Sequence, residues 1–337
     1  MKTFIPENYK SLLSIYDTQK AIGLLHRIFE DNLAASLNLY RVSAPLFVAD
    51  NSGLNDDLNG YERPVRFDIL HATQTAEVVQ SLAKWKRMAL KRYGFYPGRG
   101  IYTDMNAIRR DEDELDNLHS VYVDQWDWEK IILPENRNVD YLKTTVMDIV
   151  SAICDTQDTL QSIYPKLQPL GKLNREVAFI DSQDLEDLYP CMSSKERENT
   201  FTKEHGTVFI IGIGKNLKSG SRHDGRAPDY DDWELNGDLL FWYEPLKCAM
   251  EISSMGIRVD PETLESQLSA SGCESRRTLP YHRALLAGEL PLTIGGGIGQ
   301  SRLSMLLLGK AHIGEIQASI WDDNTQKICE ENGVVLL

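Results

Sequence analysis

Residues 295–308 read GGGIGQSRLSMLLL: three consecutive glycines, a fourth two residues on, then an arginine and an apolar, helix-like stretch. Glycine loses more conformational freedom on folding than any other residue. A run of them is therefore placed where backbone must approach something closely or take positive φ. The two familiar glycine-rich phosphate loops do not fit. A P-loop needs a lysine after its glycines, and none follows here. A dinucleotide fingerprint lies between a first strand and helix, with an acidic residue further on; this run lies near the end of the sequence and is followed by Arg302. On pattern alone two readings stay open. One is a glycine-rich strand against which a helix packs closely, with Arg302 at the surface. The other is a ligand site that uses Arg302.

The rest of the chain mixes long helices with antiparallel-type strands. Ile22, Leu25, Phe29, Leu33 and Leu37 recur at steps of three and four, which predicts one long helix within 10–38. LYRVSAPLFV (39–48) reads as an edge-type strand broken by Pro45. A polar loop follows at 49–60, then a strand pair over 62–80, with Ser81 as candidate cap of the next helix. That helix carries KWKRMALKR (84–92), the densest basic stretch, and reads as a helix with a wet basic face.

VYVDQWDWE (121–129) alternates: Gln125, Asp127 and Glu129 point one way, Trp126 and Trp128 the other. The tryptophans suggest burial against a helix. The polar face fits either an open wet sheet or a site. Helix is expected at 141–164 and strands at 101–109, 175–180, 207–213, 238–243 and 246–254. SGSRHDGRAPDYDDW (219–233) reads as a mobile loop, 110–120 as an acidic, loop-like segment, and its carboxylate-rich part 110–116 as a solvated turn without metal-ligand spacing. The class is α+β.

Composition removes several functions. The net charge of −14 argues against nucleic-acid binding, which normally needs a basic face. No apolar run is long enough to span a membrane, and MKTFIPENYK lacks the apolar core of a signal peptide, so cytoplasm is the expected location. Five scattered cysteines without a CxxC pair speak against a disulfide framework or zinc ribbon.

GGGIGQSR with LSMLLLG resembles motif 3 of the class II aminoacyl-tRNA synthetase fold. LNLYRVSAP (37–45) is similar to motif 1, and IRRDED with LHSVYVDQWDWE to motif 2. The motifs fall at about 20–45, 101–129 and 293–308 of a single domain spanning 1–337. VVQSLAKWKRM (78–88) and DLLFWYEPLKCAMEISSMGIRVD (238–260) are similar to the aspartate, asparagine and lysine branch. SLAKWKR, LHSVYVDQWDWE, RAPDYDDW, EISSMGIRVD and TIGGGIGQSRLSMLLL narrow the resemblance to ammonia-dependent asparagine synthetases, over nearly the full chain.

The resemblance implies a mostly antiparallel sheet flanked by helices, a homodimer built on motif 1, and synthesis of asparagine from L-aspartate, ammonia and ATP with Mg²⁺. It implies Arg109 on the α-phosphate, and His119, Ser120, Gly297, Gly299, Arg258 and Arg302 around the nucleotide, with Arg302 packed on adenine. Asp238 and Glu251 are implied as metal-binding acids. Lys86 is implied to pair with a substrate carboxylate, and Asp56 to take the amino group or ammonium. Gln125, Asp127, Ser81 and Ser254 are further candidates around aspartate. Arg226 and Asp231 are expected in a loop that closes over it.

An OB-fold for gripping tRNA is a five-stranded barrel, and the about 40 helical residues before the motif 1 proline do not make one, so tRNA is not expected as substrate. Ammonia is the expected nitrogen donor, because no glutaminase-type segment is visible. Two alternatives remain at this stage: an amino-acid-activating synthetase paralogue of the same branch, and an inactive nucleotide-binding regulatory paralogue.

Overall fold

The computed structural model describes residues 2–56, 58, 62–112 and 115–337. Helix α1 (Ile15–Leu37) starts at Ser14, whose hydroxyl accepts the Asp17 N–H at 3.1 Å, and stops at Asn38 in the left-handed conformation. Its stripe of Ala21, Leu25, Phe29, Leu33 and Leu37 is fully buried. Along the chain follow β1 (Leu39–Arg41), β2 (Phe47–Ala49), β3 (Arg66–Phe67), β4 (Ala76–Val78), α2 (Ala83–Arg92), β5 (Gly100–Ile108) and β6 (Tyr122–Ile131). Then come α3 (Val139–Ile163), β7 (Ala178–Asp181), α4 (Ser182–Leu188), α5 (Ser194–His205), β8 (Thr207–Ile211), β9 (Asp231–Tyr243) and β10 (Cys248–Arg258). The last elements are α6 (Pro261–Ala270), α7 (Pro280–Leu286), β11 (Thr293–Gly299), α8 (Gln300–Leu308) and α9 (Asp323–Glu331).

Eight strands form one sheet in the order β1-β5-β6-β11-β10-β9-β8-β7. All neighbours are antiparallel except the two outermost pairs, β1–β5 and β7–β8. The segment 39–48 is divided at its proline: β1 joins the edge of this sheet, while β2 pairs in a small sheet of order β2-β4-β3. The fold is that of an α+β protein with a large, mostly antiparallel sheet.

One face of the sheet is dry. Trp126 and Trp128 lie fully buried there, as their alternation implies. The Trp126 ring meets Phe29 of α1 at 4.7 Å between centroids, and its indole N–H donates to Glu30 at 3.0 Å. Helices α1, α3 and α8 contribute to the same core. The opposite face carries Gln125, Asp127 and Glu129 and is partly roofed by α2.

Three local expectations change. The basic helix is not wet: Lys84, Lys86 and Arg87 are all buried, and only its last turn reaches solvent. Lys84 and Lys86 meet the carboxylates of Asp229 and Asp127 inside the protein, and Arg87 donates to the carbonyls of Val259 at 2.7 Å and Pro291 at 2.8 Å. The 219–233 segment is not one mobile loop. Ala227, Asp229 and Asp231 are buried, and Asp231 already belongs to β9. Ser81 does accept a helix N–H, from Ala83 at 3.2 Å, but the position before the helix is Leu82.

No helix among the described residues is long and apolar enough to cross a membrane. All five cysteines are free, with Cys154, Cys248 and Cys329 buried.

Candidate active site

The polar face of β6, β11 and β10 forms the floor of a cavity of about 390 Å³. Register sets the floor. Gly295 lies opposite Glu129, Gly297 opposite Asp127 and Gly299 opposite Gln125, while Ser254 of β10 pairs with Gly297 on the other side. Directly opposed residues share a face, so the three glycines sit among the acidic and amide side chains of β6.

The glycines first make room for protein. A Cβ on Gly297 would lie 2.5 Å from Gln125 Oε1 and 2.8 Å from Asp127 Oδ1. One on Gly295 would run into the Glu129 carboxylate and come within 2.6 Å of Arg258 Nη2. At Gly299 the nearest atom is 3.4 Å away, on Arg302.

Beneath the cavity runs a buried ion network. Arg258 reaches Glu129 at 2.8 Å and also holds Asp231. Burial alone would raise the Glu129 carboxyl; the Arg258 and Lys86 charges outweigh it and hold it below its ordinary range. Lys86 Nζ donates to the Gly296 carbonyl at 3.0 Å and lies 3.4 Å from Asp127. Burial depresses its pKa, and Asp127 and Glu129 offset only part of that. Both cations thus have partners in the protein. Arg258, which also lines the cavity, ties β6 to β9 and β10 through these pairs.

A second cluster stands on β9 and β10. The pairing slips by one residue between Glu251 and Ser253, a bulge that shifts the alternation of the strand. Glu251 and Ser254 therefore both line the cavity despite a spacing of three. Arg226 bridges the cluster: it donates to Ser254 Oγ and lies 2.5 Å from Asp238. Asp238, opposite Ser254, does not itself line the cavity and stands behind Arg226. Burial pushes the Asp238 carboxyl up; Arg226 offsets part of this, and the Glu251 and Asp224 carboxylates push it further.

At the other end, the backbone N–H of Arg109 donates to Val121 at 2.8 Å, which places the arginine at the mouth of the β5–β6 hairpin. Its Nε is buried and has no hydrogen-bond partner among the described residues. His119 Nδ1 lies 2.8 Å from Asp116. Burial raises the Asp116 carboxyl, but His119 and two backbone N–H groups hold it at about 2. Ser120 pairs with Ser319 at 2.9 Å. Arg302 is fixed by the carbonyls of Leu118 at 3.4 Å and Glu251 at 3.2 Å.

Of the residues singled out in the sequence, the structure gathers Asp56, Ser81, Lys86, Arg109, His119, Ser120, Gln125, Asp127, Arg226, Asp231, Glu251, Ser254, Arg258, Gly297, Gly299 and Arg302 around one cavity. Asp238 alone lies outside its lining. Sequence reasoning missed Asp224, Tyr230, Ser301 and Gln317, which also line it. For Asp224 and Tyr230 the signal was present in the polar density of HDGRAPDYDDW.

A family model described as aspartate-ammonia ligase matches residues 16–333. The chain belongs to the aspartate–ammonia ligase family. It is 59% identical over 337 residues to an aspartate–ammonia ligase of Clostridium perfringens (strain SM101 / Type A), covering 100% of this chain and 99% of the relative. It is 57% identical over 339 residues to one from Lactobacillus acidophilus, covering 100% of both.

Among solved structures, the asparaginyl-tRNA synthetase of Entamoeba histolytica in complex with asparaginyl-adenylate superposes with a TM-score of 0.66 at 14% identity, covering 90% of this chain and 66% of that one. The asparaginyl-tRNA synthetase of Pyrococcus horikoshii, also complexed with asparaginyl-adenylate, gives 0.66 at 15% identity, covering 90% and 68%. The chain thus spans about two thirds of the synthetases' length, and what it shares with them is the class II synthetase fold.

Proposed function

We propose that this member of the aspartate–ammonia ligase family makes L-asparagine, AMP and pyrophosphate from L-aspartate, ammonia and ATP through a β-aspartyl-adenylate, as a single catalytic domain. The observation that carries this reading is the pairing, in one cavity, of the buried Arg109 Nε, which has no hydrogen-bond partner among the described residues, with the polar floor of Lys86, Gln125 and Asp127. A side-chain carboxylate is a poor electrophile at neutral pH, and adenylation turns it into a mixed anhydride with AMP as leaving group. The carboxylate oxygen attacks the α-phosphorus and pyrophosphate departs. Ammonia then forms the C–N bond as the acyl–O bond to AMP breaks, and a proton leaves the nitrogen.

Charge develops on the phosphate oxygens in the first step, so a preorganised cation there contributes most. We assign this to Arg109, with His119 and Ser120 beside it. Arg302, held flat by two carbonyls, takes the adenine, since a guanidinium plane stacks on an aromatic ring as an ammonium does not. Gly297 and Gly299 leave the floor low beneath the nucleotide. Lys86 and Arg226 face the aspartate carboxylates, with Gln125, Ser81 and Ser254 completing the contacts. Asp56, Asp127 and Asp231 supply negative charge for the amino group or for incoming ammonium.

The donor set also fits Mg²⁺. Glu251, Asp224 and Asp238 are hard carboxylates whose mutual repulsion Arg226 only partly relieves. Glu251 faces the cavity and would hold the ion, with Asp238 behind it. When bound, Mg²⁺ neutralises phosphate charge.

Tyr40, Leu46, Phe47 and Tyr96 are exposed around β1 and β2, and support a homodimer through this edge. Five free thiols suit a reducing cytoplasm. The net charge of −14 supports small-molecule substrates rather than tRNA.

The test is a product assay with purified protein, L-aspartate, Mg-ATP and ammonium chloride, with and without tRNA. Asparagine and AMP in equal amounts, indifferent to tRNA, are expected. ADP in place of AMP, or charged tRNA without free asparagine, overturns the reading.

A further inference from the structure

Asp229 does not line the cavity, yet its side chain is completely buried and is the meeting point of a lysine, an arginine and a histidine. Its Oδ2 accepts from Lys84 Nζ at 3.1 Å, from Arg276 Nη1 at 2.9 Å and from His282 Nε2 at 2.9 Å. These donors come from three places: α2, the turn 274–278, and α7. No step of the proposed reaction uses any of them.

The neighbours of these residues explain the arrangement. Arg226, Tyr230 and Asp231, on either side of Asp229, line the cavity, as does Lys86, two residues beyond Lys84. The backbone around Asp229 is also pinned to α6 and to the residue that follows β10. The Gln267 amide donates to the carbonyls of Pro228 and Asp231 at 2.9 Å each, and the Val259 N–H donates to Tyr230 O at 2.9 Å. None of those bonds reaches α2. The contact from Asp229 to Lys84 does.

We propose that Asp229 is a positioning residue for the aspartate end of the cavity: through Lys84 it fixes α2, and with it Lys86, relative to Arg226 and Asp231. A buried carboxylate that keeps two partners besides Lys84, the Arg276 guanidinium and the His282 ring, stays anchored while it holds the lysine. Lys84 lies in the field of Asp56 as well, so the same ammonium links Asp229 to a second aspartate-end residue. Arg109, His119 and Arg302 lie on elements that Asp229 does not touch. Its effect is therefore confined to one substrate.

This rests on the assignment of that end of the cavity to aspartate, and the wild-type product assay tests the assignment separately. The experiment compares Asp229→Asn, Lys84→Met and the double variant by steady-state kinetics, with folding checked by near-UV circular dichroism. Each single variant is expected to raise the KM for aspartate about tenfold, the size of a typical coupling between contacting residues, and to leave the KM for ATP within twofold. The double variant is expected to match the worse single one, because both changes remove the same link. Equal rises in both KM values, unchanged KM values, or multiplying effects in the double variant would overturn the proposal. Where Asp229→Asn fails to fold, Lys84→Met alone decides, since the carboxylate then keeps Arg276 and His282.

Discussion

Alanine at each of three alternate glycines of β11 should give three different outcomes. At Gly295 the new methyl enters the Glu129 carboxylate and crowds Arg258 at 2.6 Å, and both side chains are buried in an ion network they cannot leave. Overpacking costs about 1–3 kcal/mol, and breaking a buried ion pair costs about 3–5 kcal/mol. Gly295→Ala should therefore lose at least about 3 kcal/mol of stability. At Gly297 the methyl meets the ends of Gln125 at 2.5 Å and Asp127 at 2.8 Å, both facing the open cavity. These can swing aside, so stability should fall by under about 1.5 kcal/mol while the KM for aspartate rises roughly tenfold or more. At Gly299 nothing lies nearer than 3.4 Å, and that atom belongs to Arg302, so Gly299→Ala should fold normally and alter ATP binding at most. Urea denaturation and steady-state kinetics on the three proteins give the answer. A Gly295→Ala protein as stable as the wild type, or a Gly297→Ala protein with its aspartate KM unchanged, would refute the view that these glycines make room for protein side chains.

Arg109→Ala should lower kcat by at least about two orders of magnitude, as loss of a transition-state charge partner does, and near-normal turnover would remove its assignment to the α-phosphate. Burial holds His312 at about 4, below its ordinary 6.5, so its stabilising contribution is complete above pH 6.5 and lost as pH falls through 4. That contribution is at most about 3 kcal/mol, and His312→Asn should flatten the urea midpoint against pH over this window; an equally steep curve would contradict it. Glu251→Gln should raise the Mg²⁺ concentration needed for half-maximal rate, and an unchanged requirement would place the ion elsewhere. Sedimentation at micromolar concentration should give a dimer, and a 38.2 kDa species would contradict the edge reading.

The sequence showed a good deal of this. Alternation in VYVDQWDWE separated the tryptophan face from the polar face correctly, because period two is a property of the strand itself. The motif residues met at one cavity because each is fixed by strand position or strand end. Features that depend on pairing between distant strands were not legible. The spacing of three between Glu251 and Ser254 looks like opposite faces until the bulge against Leu239 and Leu240 is known. Lys84, Lys86 and Arg87 looked solvated because their partners, Asp229, Asp127 and the carbonyls of Val259 and Pro291, lie 41–204 residues away. The sequence also did not show that Gly295 and Gly297 make room for the side chains of the neighbouring strand.

The place of β11 has a consequence for synthesis. It is the last strand of the sheet in chain order, yet it lies between β6 and β10, near the middle. A ribosome that has reached residue 290 has synthesised each of the sheet's other strands, with a slot left open between two of them. Each side of that slot is a row of unpaired backbone groups, the kind of edge along which unfinished sheets join one another. Until the glycines arrive there is no floor, so a nascent chain cannot assemble the proposed site. Its most association-prone moment comes just before the strand that ends it.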